Sequence, residues 1–261
     1  MSLTNKTISS TYKDVISIDN SNAGFDANID QIRSGNGNGS ALYLSTNNFK
    51  VQPSADSTTN AVIYDKDGNT LFQVDSTNDA VKALGNHVNT QYAHFGITNN
   101  GAGNYAANTH YPIFFNFAAG SNLITDVDFG TGTDPDDSFT TANTDTQYAS
   151  QIVPMMWRVP DNITIDAVSH IEGADAASGD TSRMHLKSFD FTSGSTSCLT
   201  NGALLAHNSD VTNAGNEQAY LSTWTVDSAN VTAGKVVLCF FRSDSVNSDY
   251  SLNVTVKYHL T

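Results

Sequence analysis

Residue types able to do chemistry are present in this chain, but their spacing forms none of the familiar reactive constellations. There is no Gly-x-Ser-x-Gly elbow, no His-Glu-x-x-His pair, no phosphate-loop lysine motif and no Gly-x-Gly-x-x-Gly fingerprint between a strand and a helix. Ser195 sits in TSGSTSC among small polar residues, and no spacing assigns any of the seven histidines to it as a base. Glycan cleavage requires two carboxylates flanking the scissile bond. Glu172 and Glu217 fall in stretches that read as polar turns, and the aspartate-rich loops single out no pair. The segment Asp126-Val-Asp128, continuing to Asp134-Pro-Asp136-Asp137, carries the hard oxygen donors that calcium prefers. Its spacing is not that of an EF-hand, and an acidic run of this kind reads first as a solvated loop. His87 and His94 raise the idea of a metal on a symmetry axis with one imidazole per chain, but no His-x-His pair supports it. Trp157 and Trp224 are candidates for a sugar-stacking platform, yet they lie inside apolar runs where core packing is the favoured role. These residues predict no catalytic, cofactor-binding or metal-ligating position and therefore a protein that is not an enzyme.

Charge and cysteine content narrow the partners. Twenty-six acidic against 12 basic side chains leave a formal charge of −14, so no basic surface is available to displace counterions from a phosphate backbone, and nucleic acid is not an expected partner. Cys198 and Cys239 make no disulfide framework, and Cys239 lies within an apolar run where a thiol serves as a small core side chain. The N-terminal residues lack the basic and apolar regions of a secretion signal, and no apolar run has the length of a membrane span. The expectation is a soluble chain made in a cytosol, without membrane insertion.

The elements that must position these residues read as strands. Val236 to Phe241 has no polar member, which suits a strand covered on both faces. Leu252, Val254, Val256, Tyr258 and Leu260 alternate with polar residues, the period of a half-buried strand whose other face carries Lys257 and His259. The Ser/Asp/Asn-rich segment between them predicts a C-terminal β-hairpin. Upstream, residues 111–117, 151–159, 162–171, 184–191, 203–206 and 219–226 also read as strands, with Ile163, Ile165, Ala167, Ser169 and Ile171 on one face of the third. Together they predict a jelly-roll-like β-sandwich head over 98–261, preceded by a Gly/Asn-rich connector from 97 to about 111.

Residues 41–97 have a different texture. Short strands at 41–44, 49–51, 61–64, 71–74 and 80–84 are separated by polar spacers, with an Asp-Gly turn at 65–69. Strands this short and this poor in apolar residues do not bury a core within one chain, so several copies packed about an axis are expected. Residues 1–40 read as an anchoring arm with two weak strands near Ile16 and Ile32, ending in the Gly/Asn hinge from Ser34 to Ser40.

The phrases ALYLSTNNFKVQ and NAVIYDKDGNTLFQVDSTNDAVKALG resemble the shaft-type repeats of trimeric fibre proteins from tailed bacteriophages. The stretch from Asn86 to Gly96 and the opening ISSTYKDVISIDNSNAGFD are similar to virion structural proteins of marine and cyanobacterial phages. The resemblance covers the N-terminal third and, less specifically, the C-terminal strands. It implies a virion structural protein: a homotrimeric fibre, or a capsid or tail appendage, anchored to other virion proteins by its N-terminal arm. It also implies an outward sandwich that aids contact with a host-surface glycan or protein. The full expectation is an all-β chain with an extended arm, an intertwined trimeric short-strand region and the sandwich. A dedicated receptor- or carbohydrate-binding module is the alternative reading, and a polysaccharide depolymerase a more distant one.

Overall fold

The computed structural model describes residues 16–19, 24–100, 105–116, 123–142, 148–175 and 177–261. Residues 1–15 and 20–23 of the expected arm, residues 101–104 of the expected connector and residue 117 of the expected strand 111–117 lie outside them. The chain divides into two compact units, Met1–Val88 and Asn89–Thr261.

The first unit holds two antiparallel four-stranded sheets. One contains β1 (Ile16–Ile18), β2 (Asp30–Ser34), β3 (Gly39–Leu44) and β4 (Phe49–Val51). The other contains β5 (Ala61–Tyr64), β6 (Thr70–Asp75), β7 (Ala80–Ala83) and β8 (Asn86–His87). The Gly/Asn stretch read as a hinge is instead the turn of the β2–β3 hairpin. Gly37 takes φ +82°, and Ser34 N–H donates to the Asn38 carbonyl at 2.9 Å. Glycine is suited to that conformation because it has no Cβ to clash. The β5–β6 turn is built on Asp65, whose carboxylate accepts from the backbone N–H groups of Asp67 and Asn69 and from the Asn69 side chain. Those bonds, the Asn69 side chain first, hold the Asp65 pKa below its ordinary value. Regular pairing is not matched by burial: among the described residues of this unit only Asp75 and Ala80 are buried.

The second unit is a two-sheet antiparallel sandwich. Its strands are β9 (Thr90–Asn100), β10 (Tyr111–Phe115), β11 (Trp157–Arg158), β12 (Ile163–Asp175), β13 (Thr181–Phe191), β14 (Leu199–His207), β15 (Val211–Thr212), β16 (Gln218–Thr223), β17 (Thr225–Val226), β18 (Asn230–Val231), β19 (Val236–Ser243) and β20 (Asp249–Leu260). The hydrogen-bonded path runs β16-β12-β20-β9-β10-β19-β13-β14-β17, so β9, placed with the shaft by its sequence up to residue 97, is a full member of the sandwich. β10 links the sheets: Tyr111 to Ile113 pair with β19, and Phe114 and Phe115 pair with β9. Pro112 lies in the half of β10 that β9 does not pair, where a missing N–H is tolerated. Trp224 makes a second corner, since β16 before it pairs with β12 and β17 after it pairs with β14.

Residues 236–260 do not form the expected hairpin. β19 pairs with β10, β11 and β13, whereas β20 pairs with β12 and β9 in the opposite sheet. The chain arches across the core, and the Phe241 and Tyr250 rings meet tilted at 56° with 4.9 Å between centroids. The two-faced covering expected of β19 is present. Val237, Cys239 and Phe241 enter the core between the sheets, while Val236, Leu238 and Phe240 enter a second core outside them with Phe129, Phe139, Phe189 and Leu199. That outer core is roofed by residues 123–142 and a helical turn, Ala149–Ile152, running into a 3-10 turn, Val153–Met155. The apolar run at 151–155 therefore is not a strand. Ile152 and Met155, three residues apart, are buried together while Val153 is exposed, and Pro154 fits the first turn of the short helix.

A register shift in β12 between Ile165 and Ala167 reverses the face expected for its second half. Val168, His170, Glu172 and Ala174 turn inward, and Ile171 turns out with 55% exposure. Among the described residues no helix is long and apolar enough to cross a membrane.

Val254 is fully buried in the inner core, beside exposed Asn253. Val254→Asp places an unpaired carboxylate there and is expected to abolish the cooperative thermal transition of the sandwich, whereas Asn253→Asp leaves it within ~0.5 kcal/mol; circular dichroism melts of the two variants check this.

Candidate functional site

Three polar groupings in the sandwich are assembled by the fold. The first lies under the roof of the outer core. Lys187 and His185 sit on the outward face of β13, and both are almost fully buried because residues 110 and 130–137 cross over them. Lys187 Nζ donates to the Pro135 carbonyl and to Asp137 Oδ1, each at 2.5 Å. The acidic loop considered for calcium thus has a lysine ammonium from its own chain at its centre. Gly130 permits the fold of the loop. Its φ is +78°, and a Cβ there would meet Asp136 Oδ1 at 2.6 Å. His110 Nε2 donates to the Gly132 carbonyl at 3.1 Å, and its ring meets that of His185 edge-on at 5.0 Å. The His185 ring in turn stacks on His207 at 6.3 Å, and His207 pairs with Asp227 at 2.7 Å. Nδ1 of both His110 and His185 is buried without a hydrogen-bond partner.

Burial, more than any charge, lowers the pKa of His110 to about 4 and that of His185 to about 3. Arg242, Lys187 and Asp134 face His110, while His110, Arg183, His207 and Arg242 face His185. The unfolded chain binds protons on both rings that the native protein refuses. This contribution is therefore neutral above about pH 6.5 and destabilising as pH falls toward the native values, by about 1.4 kcal/mol per pH unit for each ring.

The second grouping is sealed in the inner core. Trp224 Nε1 donates to His170 Nδ1 at 2.7 Å, and Nε2 of that ring lies 3.5 Å from Glu172 Oε2 without a hydrogen-bond partner. Ser182 Oγ donates to that same oxygen at 2.6 Å, and Glu172 Oε1 has no partner. Ser182 lies on β13 and Glu172 on β12, so this bond ties one sheet to the other. The order serine, carboxylate, histidine has the look of a catalytic relay, but all three side chains are at most 1% exposed and admit no substrate. Glu172, expected in a polar turn, lies instead on the buried face of β12, placed there by the bulge at Asp166, which the alternation of residues does not show.

The third grouping is a cleft of about 580 Å³ at one end of the β16-β12-β20 sheet. Asp175, Glu217 and Asp249 line it together with Gly173, Ala219 and Ser251, and no histidine, cysteine, lysine or arginine is among its lining residues. Glu217 does lie just before a strand, in a loop.

Ser195 and His94 belong to none of these groupings. Ser195 is in a turn where its hydroxyl accepts from Ser197 N–H. His94 Nδ1 faces Thr255 Oγ1 at 3.2 Å on the outer sheet surface. His259, expected on an open face, is only 8% exposed and pairs with Asp166 at 2.9 Å. Trp157 packs in the inner core, stacked on Phe115 at 6.0 Å, and Trp224 is buried likewise, so neither offers a sugar platform. Cys198 and Cys239 are free thiols in different cores, with pKa values raised by burial.

Parts of the open surface are apolar. On the sandwich, Ile171 and Leu221 are cross-strand neighbours, 55% and 75% exposed, flanked by Ser169, Thr223 and Asn253 without a charge. In the first unit Ile16, Phe49, Ile63, Leu84 and Val88 are each more than half exposed.

No protein-family model matches the chain, and no curated protein matches it. A solved structure described as Eiger TNF from S. frugiperda is similar at 10% identity over 66% of this chain and 93% of that one, with a TM-score of 0.31. A likeness of that size carries no functional argument.

Two outcomes follow from the buried groupings. Ser182→Ala removes the one hydroxyl donor to a buried carboxylate and is expected to destabilise the sandwich by ~1–3 kcal/mol in denaturant titration. In thermal melts at about pH 7.5 and about pH 5, the unmodified protein is expected to lose more stability on acidification than a His110→Gln/His185→Gln variant, because the variant lacks the two rings that titrate between those values only when unfolded.

Proposed function

We propose that this chain is a non-enzymatic structural protein of a tailed-phage virion, a homotrimeric fibre or appendage attached through its N-terminal segment and presenting a β-sandwich. The observation that carries the oligomer is the burial pattern of the first unit. Ordering each residue costs about 1–2 kcal/mol of backbone entropy. One buried alanine and one buried aspartate among the described residues do not offset that for two four-stranded sheets. Burying a side chain such as Phe49 or Ile63 contributes about 1.5–3 kcal/mol, and packing against copies of the same chain supplies that burial and covers the strand edges. The uncharged Ile171–Leu221 face is a second surface suited to self-association. Threefold symmetry and the virion setting rest on the resemblance of residues 41–84 to fibre shaft repeats.

The sealing of the Ser182–Glu172–His170 group inside the core, at most 1% exposed, supports the non-enzymatic reading. The acidic cleft is the one feature that favours an enzyme acting on host polysaccharide, since two carboxylates across a cleft are what glycoside hydrolysis uses.

Native mass spectrometry of the full chain tests the assembly. A trimer is expected, and Phe49→Ser/Ile63→Ser is expected to shift it toward monomer while the sandwich retains its melting transition; a stable monomer of the unmodified chain would sink the proposal. Release of reducing ends from host polysaccharide, lost in Glu217→Gln, would replace it with the enzymatic reading.

A further inference from the structure

A small polar cleft of about 190 Å³ lies at the end of the β13–β19 strand pair, lined by Asn108, Thr181, Arg183, Asp210, Arg242 and Asp244. Arg183 and Arg242 are directly paired positions on adjacent strands, an arrangement of like charges that destabilises a sheet unless a counter-charge is near. Arg183 has one: its Nε lies 2.7 Å from Asp210 Oδ1, although the N–H does not point at that oxygen and remains an unsatisfied buried donor. Arg242 has none. Its Nε and Nη2 donate to the Asn108 carbonyl and side-chain oxygen at 3.3 and 2.7 Å, and no carboxylate among the described residues pairs with it. That is unusual in a chain with more than twice as many acids as bases.

The guanidinium of Arg242 is held in place rather than left to find a partner. Asn108 takes φ +59°, a left-handed conformation that asparagine tolerates better than most residues, and its N–H donates to the Ser243 carbonyl at 2.6 Å. Asp244 Oδ1 accepts from Thr181 N–H at 2.7 Å, which fixes its carboxylate too and leaves its other oxygen as an acceptor. The cleft thus sets guanidinium donors beside carboxylate acceptors, with Asp210 next to Arg183 and Asp244 fixed by Thr181.

We infer that this cleft binds a carboxylate flanked by hydroxyl groups, the chemistry of a sugar acid, with the carboxylate on the Arg183–Arg242 guanidinium pair and neighbouring hydroxyls donating to Asp210 and Asp244. A guanidinium fork matches a planar carboxylate two bonds at a time. A bare inorganic anion would use the donors and meet repulsion from the two aspartates, whereas a polyhydroxylated acid uses donors and acceptors alike. A space of about 190 Å³ suits one sugar-sized group. That group is either a free monosaccharide or the end of a longer chain.

The test uses the full-length protein in thermal-shift and calorimetric titrations with glucuronate, glucose and inorganic phosphate, and with an oligosaccharide ending in glucuronate. Glucuronate is expected to raise the melting temperature saturably, glucose and phosphate to leave it unchanged, and Arg242→Gln to weaken glucuronate at least ~10-fold, the size of one lost charge-assisted hydrogen-bond pair. Arg242→Lys, which keeps the charge but not the fork, is expected to weaken it as well and guards against misfolding of the glutamine variant. Tighter binding of the oligosaccharide than of glucuronate identifies a chain end as the ligand, and equal binding identifies the free acid. No saturable shift with glucuronate, phosphate binding as tight as glucuronate, or unchanged affinity in both Arg242 variants overturns the inference.

Discussion

The six apolar side chains from Val236 to Phe241 have to be kept from water on both sides of one strand. A two-sheet sandwich covers only one face of each sheet, so an all-apolar strand demands a third layer. The protein supplies it with the roof over β19 and β13, where Phe129 meets Phe240 at 4.7 Å. Much of what distinguishes the sandwich follows from that demand. The roof carries the acidic loop across Lys187, it buries His110 against His185, and it turns the 151–155 run into helix so that Ile152 and Met155 face down.

The roof also changes what its polar residues mean. An acidic loop in water is a candidate cation site; the same loop folded over a buried lysine is a satisfied ion pair that locks the roof to the sheet. A histidine exposed to water titrates near neutrality, whereas His110 and His185, desolvated between two layers, stay neutral well below it. In the inner core the one-residue bulge of β12 has a comparable effect. It exchanges Ile171 for His170 and Glu172 on the buried face and so creates both the Ser182–Glu172 tie between the sheets and the exposed Ile171–Leu221 pair.

The two units solve the burial problem differently. The sandwich encloses Phe95, Ile113, Phe241, Tyr250 and Val254 completely within one chain. The eight strands of the first unit are paired and have a well-formed Asp65 turn, yet among its described apolar residues only Ala80 is buried. Backbone pairing alone contributes little net stability because the unfolded chain makes the same bonds to water. The physical case for assembly with further copies rests on that contrast.

Local information was enough for much of this. The alternation of β20, the turn chemistry of Asp65 to Asn69, the short strands from 41 to 83 and the two-sided burial of Val236 to Phe241 are all legible in the order of residues, because each depends on side chains a few positions apart. The core placement of Trp157 and Trp224 and the two separate thiols were legible for the same reason. Partner strand, face after a bulge, and the convergence of distant polar groups were not. A polar five-residue connector serves a hairpin and an arch between sheets equally well, and it was the competition among β9, β10, β12 and β13 for the flanks of β19 and β20 that made it an arch. A bulge leaves no mark in composition, so only the packed sheet placed Glu172 inside. Arg183 and Arg242 are 59 positions apart, and nothing in either neighbourhood says that they face each other; pairing across strands is a long-range choice made by the whole core.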